Sequence, residues 1–281
     1  MEIGENNNKI SIFSKEIDFN KTENYHLSIE VSEKKICYTL LEIETLEYVF
    51  FKSITTNSKS DDLVKTINSE DILKNNFSSS TITYKDYPSI IIPNNLYSEQ
   101  HKRKYLQFLE IEYEQIISEN IKTIDSTILY SINKNINDIV NLIQVDIKQK
   151  NASNINIHQI LRQYGKSIKK RVFLFINQNK IELIVTQNSK LIFQNYFNID
   201  SKTDILYYTL FCFEQLKIDP NINETYLFGE IKKDDKKYTL LFEYIRNIQF
   251  GEISTSLNFS KELMEVSKHQ NFSLFSQLLC V

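Results

Sequence analysis

Short apolar runs broken by polar turns open this chain, with no long helical stripe among them. "YHLSIEV", "KICYTLLEIE" and "LEYVFFKSIT" are rich in Ile, Val, Tyr, Phe and Thr and are separated by "SEKK" and "ET", the pattern of an antiparallel meander. "SKSDDLVKTINSEDILKN" follows with Ser and Asp at its start and Leu63, Val64, Ile67, Ile72 and Leu73 along it, which predicts a capped helix. "PSIIIP" predicts a buried strand. "SEQHKRKYLQFLEIEYEQII" predicts an amphipathic helix in its first part, with Tyr105, Phe108 and Leu109 on the dry side. "STILYSI", "INDIVNLI" and "INIHQILRQYGKSI" continue as a strand and two helices, the last ending near Gly165.

The second half follows the same plan. "RVFLFIN", "KIELIVTQ" and "KLIFQNYFNI" read as three strands, with "QNSK" as the turn between the last two. "SKTDILYYTLFCFEQLKIDP" has Ser201 and Asp204 in capping-box spacing and stops at Pro220. Its apolar residues wrap nearly the whole circumference, which predicts burial between two layers. "TYLFGEI" is a strand closing on Gly229, "KYTLLFEYIRNI" a helix, "FGEIS" a last strand and "HQNFSLFSQLLC" a short returning helix.

Meander, helix, strand, helix thus occurs twice, predicting an α/β protein with an internal duplication. The segments Val31–Ile54 and Ile176–Ile199 align without a gap, placing Lys35 and Ile36 on Lys180 and Ile181, Leu46 on Leu191, Phe51 on Tyr196, and Ile54 on Ile199.

Composition narrows the function. A net charge of −3 over 281 residues gives no basis for nucleic-acid binding, and the basic stretch "HKRK" reads as the solvated start of a helix. No apolar run is long enough to span a bilayer. The polar, acidic start "MEIGENNNKISIF" is not a signal peptide, so a cytoplasmic location is expected. Cys37, Cys212 and Cys280 are too far apart for a Cys-x-x-Cys site and read as reduced thiols. His158 has no His or Cys three or four residues away and reads as structural. Only four glycines occur, Gly4, Gly165, Gly229 and Gly251. Their scatter excludes a P-loop or a G-x-G-x-x-G turn.

In "KLIFQNYFNI", "DILYYTLFCFEQLKIDP", "YLFGEI", "YIRNIQFGE" and "HQNFSLFSQLLC" the chain is similar to domain of unknown function 3822, a Bacteroidetes family, and its order of elements resembles the actin-like fold. That resemblance implies two ribonuclease-H-like lobes flanking a nucleotide cleft. Lobe one would span 1–165, with 258–281 packing back on it, and lobe two 166–257. It also implies kinship with the cytoplasmic scaffolds of pilus and secretion assemblies, which bind partner peptides.

Active members of the actin-like fold carry an Asp-Gly-Thr/Ser turn after the first strand of each lobe. In this chain Glu30 falls near the first Asp and Ser32-Glu33 replaces the glycine turn; Phe175 and Asn177 stand at the matching places of lobe two. The adenosine-gripping strand keeps Gly229 but has Glu230 at its second glycine position. A carboxylate at Glu33 repels phosphate, and Phe175 cannot hold magnesium. Glu30, Ser32, Asn177, Gly229 and Glu230 are therefore the candidate cofactor-binding residues of a degenerate nucleotide cleft, with no catalytic residue, metal or cofactor expected. The reading is a pseudo-ATPase: a non-catalytic binding or assembly module that recognises an unknown protein partner or small ligand between its lobes. The alternative is a divergent magnesium-dependent ATPase or small-molecule kinase using Glu30 and Glu230.

Overall fold

The computed structural model describes residues 8–14, 18, 20–56, 64–65, 67–109, 114–132, 134–143 and 147–280. They form two compact units. The first comprises Met1–Ile155, Ser254–Val266 and Ser273–Val281; the second comprises Asn156–Ile253 and Ser267–Phe272.

In the first unit the meander is β2 (Tyr25–Val31), β3 (Lys35–Glu42) and β4 (Glu47–Thr55), preceded by β1 (Asn8–Phe13). β5 (Ser79–Tyr84) adds parallel to β2, and β9 (Lys148–Asn151) parallel to β5. The path is β1-β4-β3-β2-β5-β9. β6 (Ser89–Pro93), β7 (Gln115–Ile121) and β8 (Ser126–Ile132) make a separate antiparallel sheet ordered β6-β8-β7. The helices that start here are α1 (Lys102–Leu106), α2 (Lys134–Ile143) and α3 (Ala152–Tyr164).

Sequence pattern and structure part company at β5. "PSIIIP" is a strand, as its apolar run predicts, but it lies in the three-stranded sheet. The parallel partner of β2 is the Ser- and Thr-rich "SSTITY", whose Ser80, Thr81 and Thr83 are buried. Of the helix expected over 58–75, residues 57–63 and 66 lie outside the described set; 64, 65, 67 and 68 are helical, and Asp71–Lys74 is a 3-10 turn. At the head of that turn Glu70 ties three strands together. It accepts from Lys9 Nζ at 2.7 Å, from Tyr38 Oη at 2.5 Å and from Lys52 Nζ.

The second unit has one sheet, β12-β11-β10-β13-β14, made of β10 (Arg171–Ile176), β11 (Lys180–Gln187), β12 (Lys190–Asn198), β13 (Thr225–Gly229) and β14 (Ile248–Phe250). β10, β11 and β12 are antiparallel neighbours, while β13 and β14 run parallel to β10. The order and directions repeat those of β4-β3-β2-β5-β9 strand for strand. A register shift recurs as well, between Leu40 and Leu41 in β3 and between Val185 and Thr186 in β11. Lys35 and Ile36 do correspond to Lys180 and Ile181.

Beyond the second turn the ungapped match fails. β11 and β12 join through two left-handed residues, Asn188 (φ 51°) and Ser189 (φ 59°), the geometry of a tight hairpin. Four residues, 43–46, separate Glu42 from Glu47. The two-residue difference makes Leu191, Gln194 and Phe197 the counterparts of Tyr48, Phe51 and Ile54.

α4 (Lys202–Gln215) starts with the Ser201–Asp204 capping box. It buries Ile205, Leu206, Cys212 and Phe213 but leaves Tyr207 and Phe211 exposed, at 62 % and 45 %. The expected burial between two layers is therefore corrected: one face packs on the core and an aromatic pair faces outward. α5 (Lys236–Tyr244) and α6 (Phe272–Phe275) complete the described α-helices.

Candidate functional site

Glu30 lies in β2 opposite Cys37, and Phe175 holds the same position in β10 opposite Glu182. Both are buried, but they serve different ends. Glu30 keeps only 5 % of its side chain exposed. It accepts from Lys85 Nζ at 3.2 Å through one oxygen and from Ser273 Oγ through the other. Gln277 donates to the Ile29 carbonyl at 2.8 Å beside it. Both carboxylate oxygens thus have partners within the first unit.

Ser32 begins the turn after β2. Its N–H donates to Lys35 O at 2.9 Å and its hydroxyl to the same carbonyl at 3.3 Å. Glu33 beside it is exposed.

In the second unit, Asn177, Gly229 and Glu230 are neighbours at one end of the sheet, because Ile176 pairs with Gly229. Asn177 repeats the Ser32 turn, donating its N–H to Lys180 O at 2.9 Å. Neither Ser32 nor Asn177 has a positive φ. Gly229 does, at 82°, and a Cβ there would lie 2.2 Å from the Ile176 carbonyl oxygen, so glycine is required.

The Gly229 N–H donates to His269 O at 3.0 Å and the Glu230 N–H to Ile176 O at 2.6 Å. His269 in turn bonds Ile231 O through Nε2 at 2.8 Å. Burial lowers its imidazole pKa, and that bond to a carbonyl partly opposes the shift. The N–H groups of Ser32, Asn177, Gly229 and Glu230 are thus committed inside the chain.

Phe175 completes the contrast. Its ring stacks on Phe228 at 4.6 Å and 10°, and Phe272 packs on both, at 5.9 Å from Phe175 and 4.5 Å from Phe228. Gly251 lets this happen, since a Cβ there would sit 1.9 Å from Phe228 Cζ.

Lys85 and Ser273 in the first unit, and His269 and Phe272 in the second, are the partners of the candidate residues that sequence reasoning missed. The readable signal was the apolar and polar alternation of "HQNFSLFSQLLC", which marks a segment returning to the body but not its partners. Among the described residues no three His, Cys, Asp or Glu side chains converge to hold a metal ion, and no helix is long and apolar enough to cross a membrane. Cys212 is a buried thiol pushed up to about 11 by desolvation, a poor nucleophile.

Two sheets of this order, three antiparallel strands followed by two parallel ones, define an actin-like α/β protein. A solved protein from Bacteroides thetaiotaomicron with an actin-like ATPase fold and unknown function superposes with a TM-score of 0.78 at 18 % identity, covering 94 % of this chain and 99 % of that one. The structure of a PilM-PilN type IV pilus biogenesis complex matches with a TM-score of 0.61 at 10 % identity, covering 91 % and 98 %. The chain belongs to the family Protein of unknown function (DUF3822), whose profile matches residues 14–248. No curated protein sequence matches it.

Proposed function

We propose that this protein is a pseudo-ATPase: an actin-like binding or assembly module that recognises a protein partner without phosphoryl transfer. The observation that carries this reading is the occupation of the candidate nucleotide residues by the chain itself. Glu30 is held by Lys85 and Ser273, and the Gly229 N–H by His269. Phosphoryl transfer needs positioned metal and free donors for the phosphates, and these groups are engaged elsewhere. Phe175, the counterpart of Glu30, offers no metal ligand at all.

A structure of this fold is that of a protein complex, the PilM-PilN type IV pilus biogenesis complex, which supports the reading of a partner-binding module. A common position of the register shift and a common strand order support an origin of the two lobes by duplication, and the free thiols support a reducing, cytoplasmic setting.

Calorimetric titration with ATP, with and without magnesium, tests the proposal. The expected result is no heat and no change in melting temperature at millimolar nucleotide. Magnesium-dependent binding followed by turnover would overturn it in favour of a divergent ATPase or small-molecule kinase.

A further inference from the structure

Where β10, β13 and β14 begin, the second unit carries a hollow of about 560 Å³ lined by cations. Lys169, Lys170, Arg171 and Arg246 surround it with a single carboxylate, Glu224, among them. This excess of positive charge stands out in a chain whose net charge is −3. The register Val172–Thr225–Ile248 lies at this end and Ile176–Gly229 at the other, so the hollow is separated from the degenerate nucleotide residues by the length of β13.

The cations are not equivalent. Arg171 is spent on Glu224 and on the Tyr164 carbonyl, at 2.9 Å for the latter. Lys170 donates to Leu216 O at 2.6 Å. Lys169 and Arg246 are exposed, and among the described residues neither has an anionic partner.

One wall of the hollow is also an open sheet edge. Among the described residues β14 is bonded only to β13. The Asn247 carbonyl accepts from Thr225 N–H at 2.8 Å and the Gly251 N–H donates to Leu227 O at 2.9 Å. In a parallel ladder the residues between such bonds turn their backbone groups the other way. Ile248 and Phe250 therefore present N–H and C=O to the open side, next to Arg246.

We propose that this edge docks an extended acidic segment of a partner protein, which adds as a strand to β14 and sets its carboxylates against Arg246 and Lys169. A small anion is a weaker fit. Exposed ion pairs contribute little one at a time, so long solvated side chains hold a lone phosphate poorly. A strand that gains main-chain bonds and repeats its carboxylates combines both contributions. The proposal does not depend on the fate of the nucleotide site, because a chain that bound ATP would keep this edge unchanged.

The test is fluorescence anisotropy of a labelled synthetic peptide of alternating Glu and Val on the full chain at low ionic strength, with an alternating Lys and Val peptide as control. The expected result is saturable binding of the acidic peptide alone, weakened by salt. Arg246→Glu should weaken it roughly tenfold or more. Ile248→Pro should do the same, because it removes an outward N–H that the ladder does not use; circular dichroism and melting checks that it still folds. Absence of binding, or binding unchanged in either folded variant, would overturn the proposal. Displacement of the peptide by pyrophosphate, where sodium chloride of equal ionic strength does not displace it, would also overturn it and assign the hollow to small anions.

Discussion

Replacing Glu30 separates a structural carboxylate from a catalytic one. Its side chain is 5 % exposed and its partner Lys85 16 % exposed. Removing one member of a buried ion pair costs about 3–5 kcal/mol. Lys85 retains some access to water, so the lower end, about 3 kcal/mol, is expected for Glu30→Ala. Glu30→Gln keeps an acceptor for Ser273 and loses only the charge, for about 2 kcal/mol. In a chain of this size each kcal/mol moves the melting temperature by roughly 2–4 °C, which puts Glu30→Ala about 6–12 °C below the parent. Circular dichroism melts and urea titrations read this directly. The double variant Glu30→Gln/Lys85→Met should regain most of the loss, since a buried pair replaced as a whole is close to neutral. A carboxylate held in place for chemistry behaves in the opposite way, because active-site residues are commonly kept at a cost in stability. If Glu30→Ala melts at or above the parent temperature, the structural reading of this residue is refuted.

Two further predictions concern the packing around the site and the charge cluster at Glu70. Gly251→Ala should destabilise by roughly 2–3 kcal/mol through the clash with Phe228, and Phe228→Leu in the same chain should make the two losses less than additive in urea titrations. Burial alone would raise the Glu70 pKa, but its bonds to Lys52, Lys9 and Tyr38 outweigh that and hold it at about 2, against 4.5 unperturbed. A depressed carboxylate contributes stability above its unfolded pKa and loses it as pH falls through the folded value. After allowance for the exposed Lys9, about 2 kcal/mol should disappear between roughly pH 5 and pH 2, and Glu70→Gln should flatten that part of a stability–pH profile.

The second unit was largely legible because its strands carry long Ile, Val, Leu and Phe runs and its main helix a complete capping box. The first was less so. β5 hides in "SSTITY" because a strand buried between neighbours can carry hydroxyl side chains that no apolar count detects, and β1 and β9 are similarly polar. The meander match was legible at Lys35 and Lys180 and misleading after the turn, where a two-residue hairpin replaces four residues at no cost to either sheet. At the site, the identities of Glu30, Phe175 and Gly229 were visible in the sequence, but their bonds were not. Glu30 meets Ser273 from the far end of the chain, and no local pattern encodes a contact of that range.

The proposed absence of nucleotide binding rests most directly on the segment 267–277. Substitution of the phosphate loops alone would leave donors exposed and weak binding in place. Here the N–H groups of Gly229 and Glu230 are also bonded within the chain. For a ligand to reach the Gly229 N–H, the His269 carbonyl must let go, and Phe272, 1 % exposed, is three residues further on. Freeing that ring costs about 2–3 kcal/mol of burial, and the hydrogen bond adds about 1 kcal/mol. Any affinity of the bare turn is lowered by the same free energy, on the order of a hundredfold or more. Truncating Phe272 to Ala should therefore be the substitution most able to uncover residual ATP binding. If that variant stays folded and silent in calorimetry, the proposed lack of nucleotide binding rests on Phe175 and Ser32 themselves and not on the C-terminal segment.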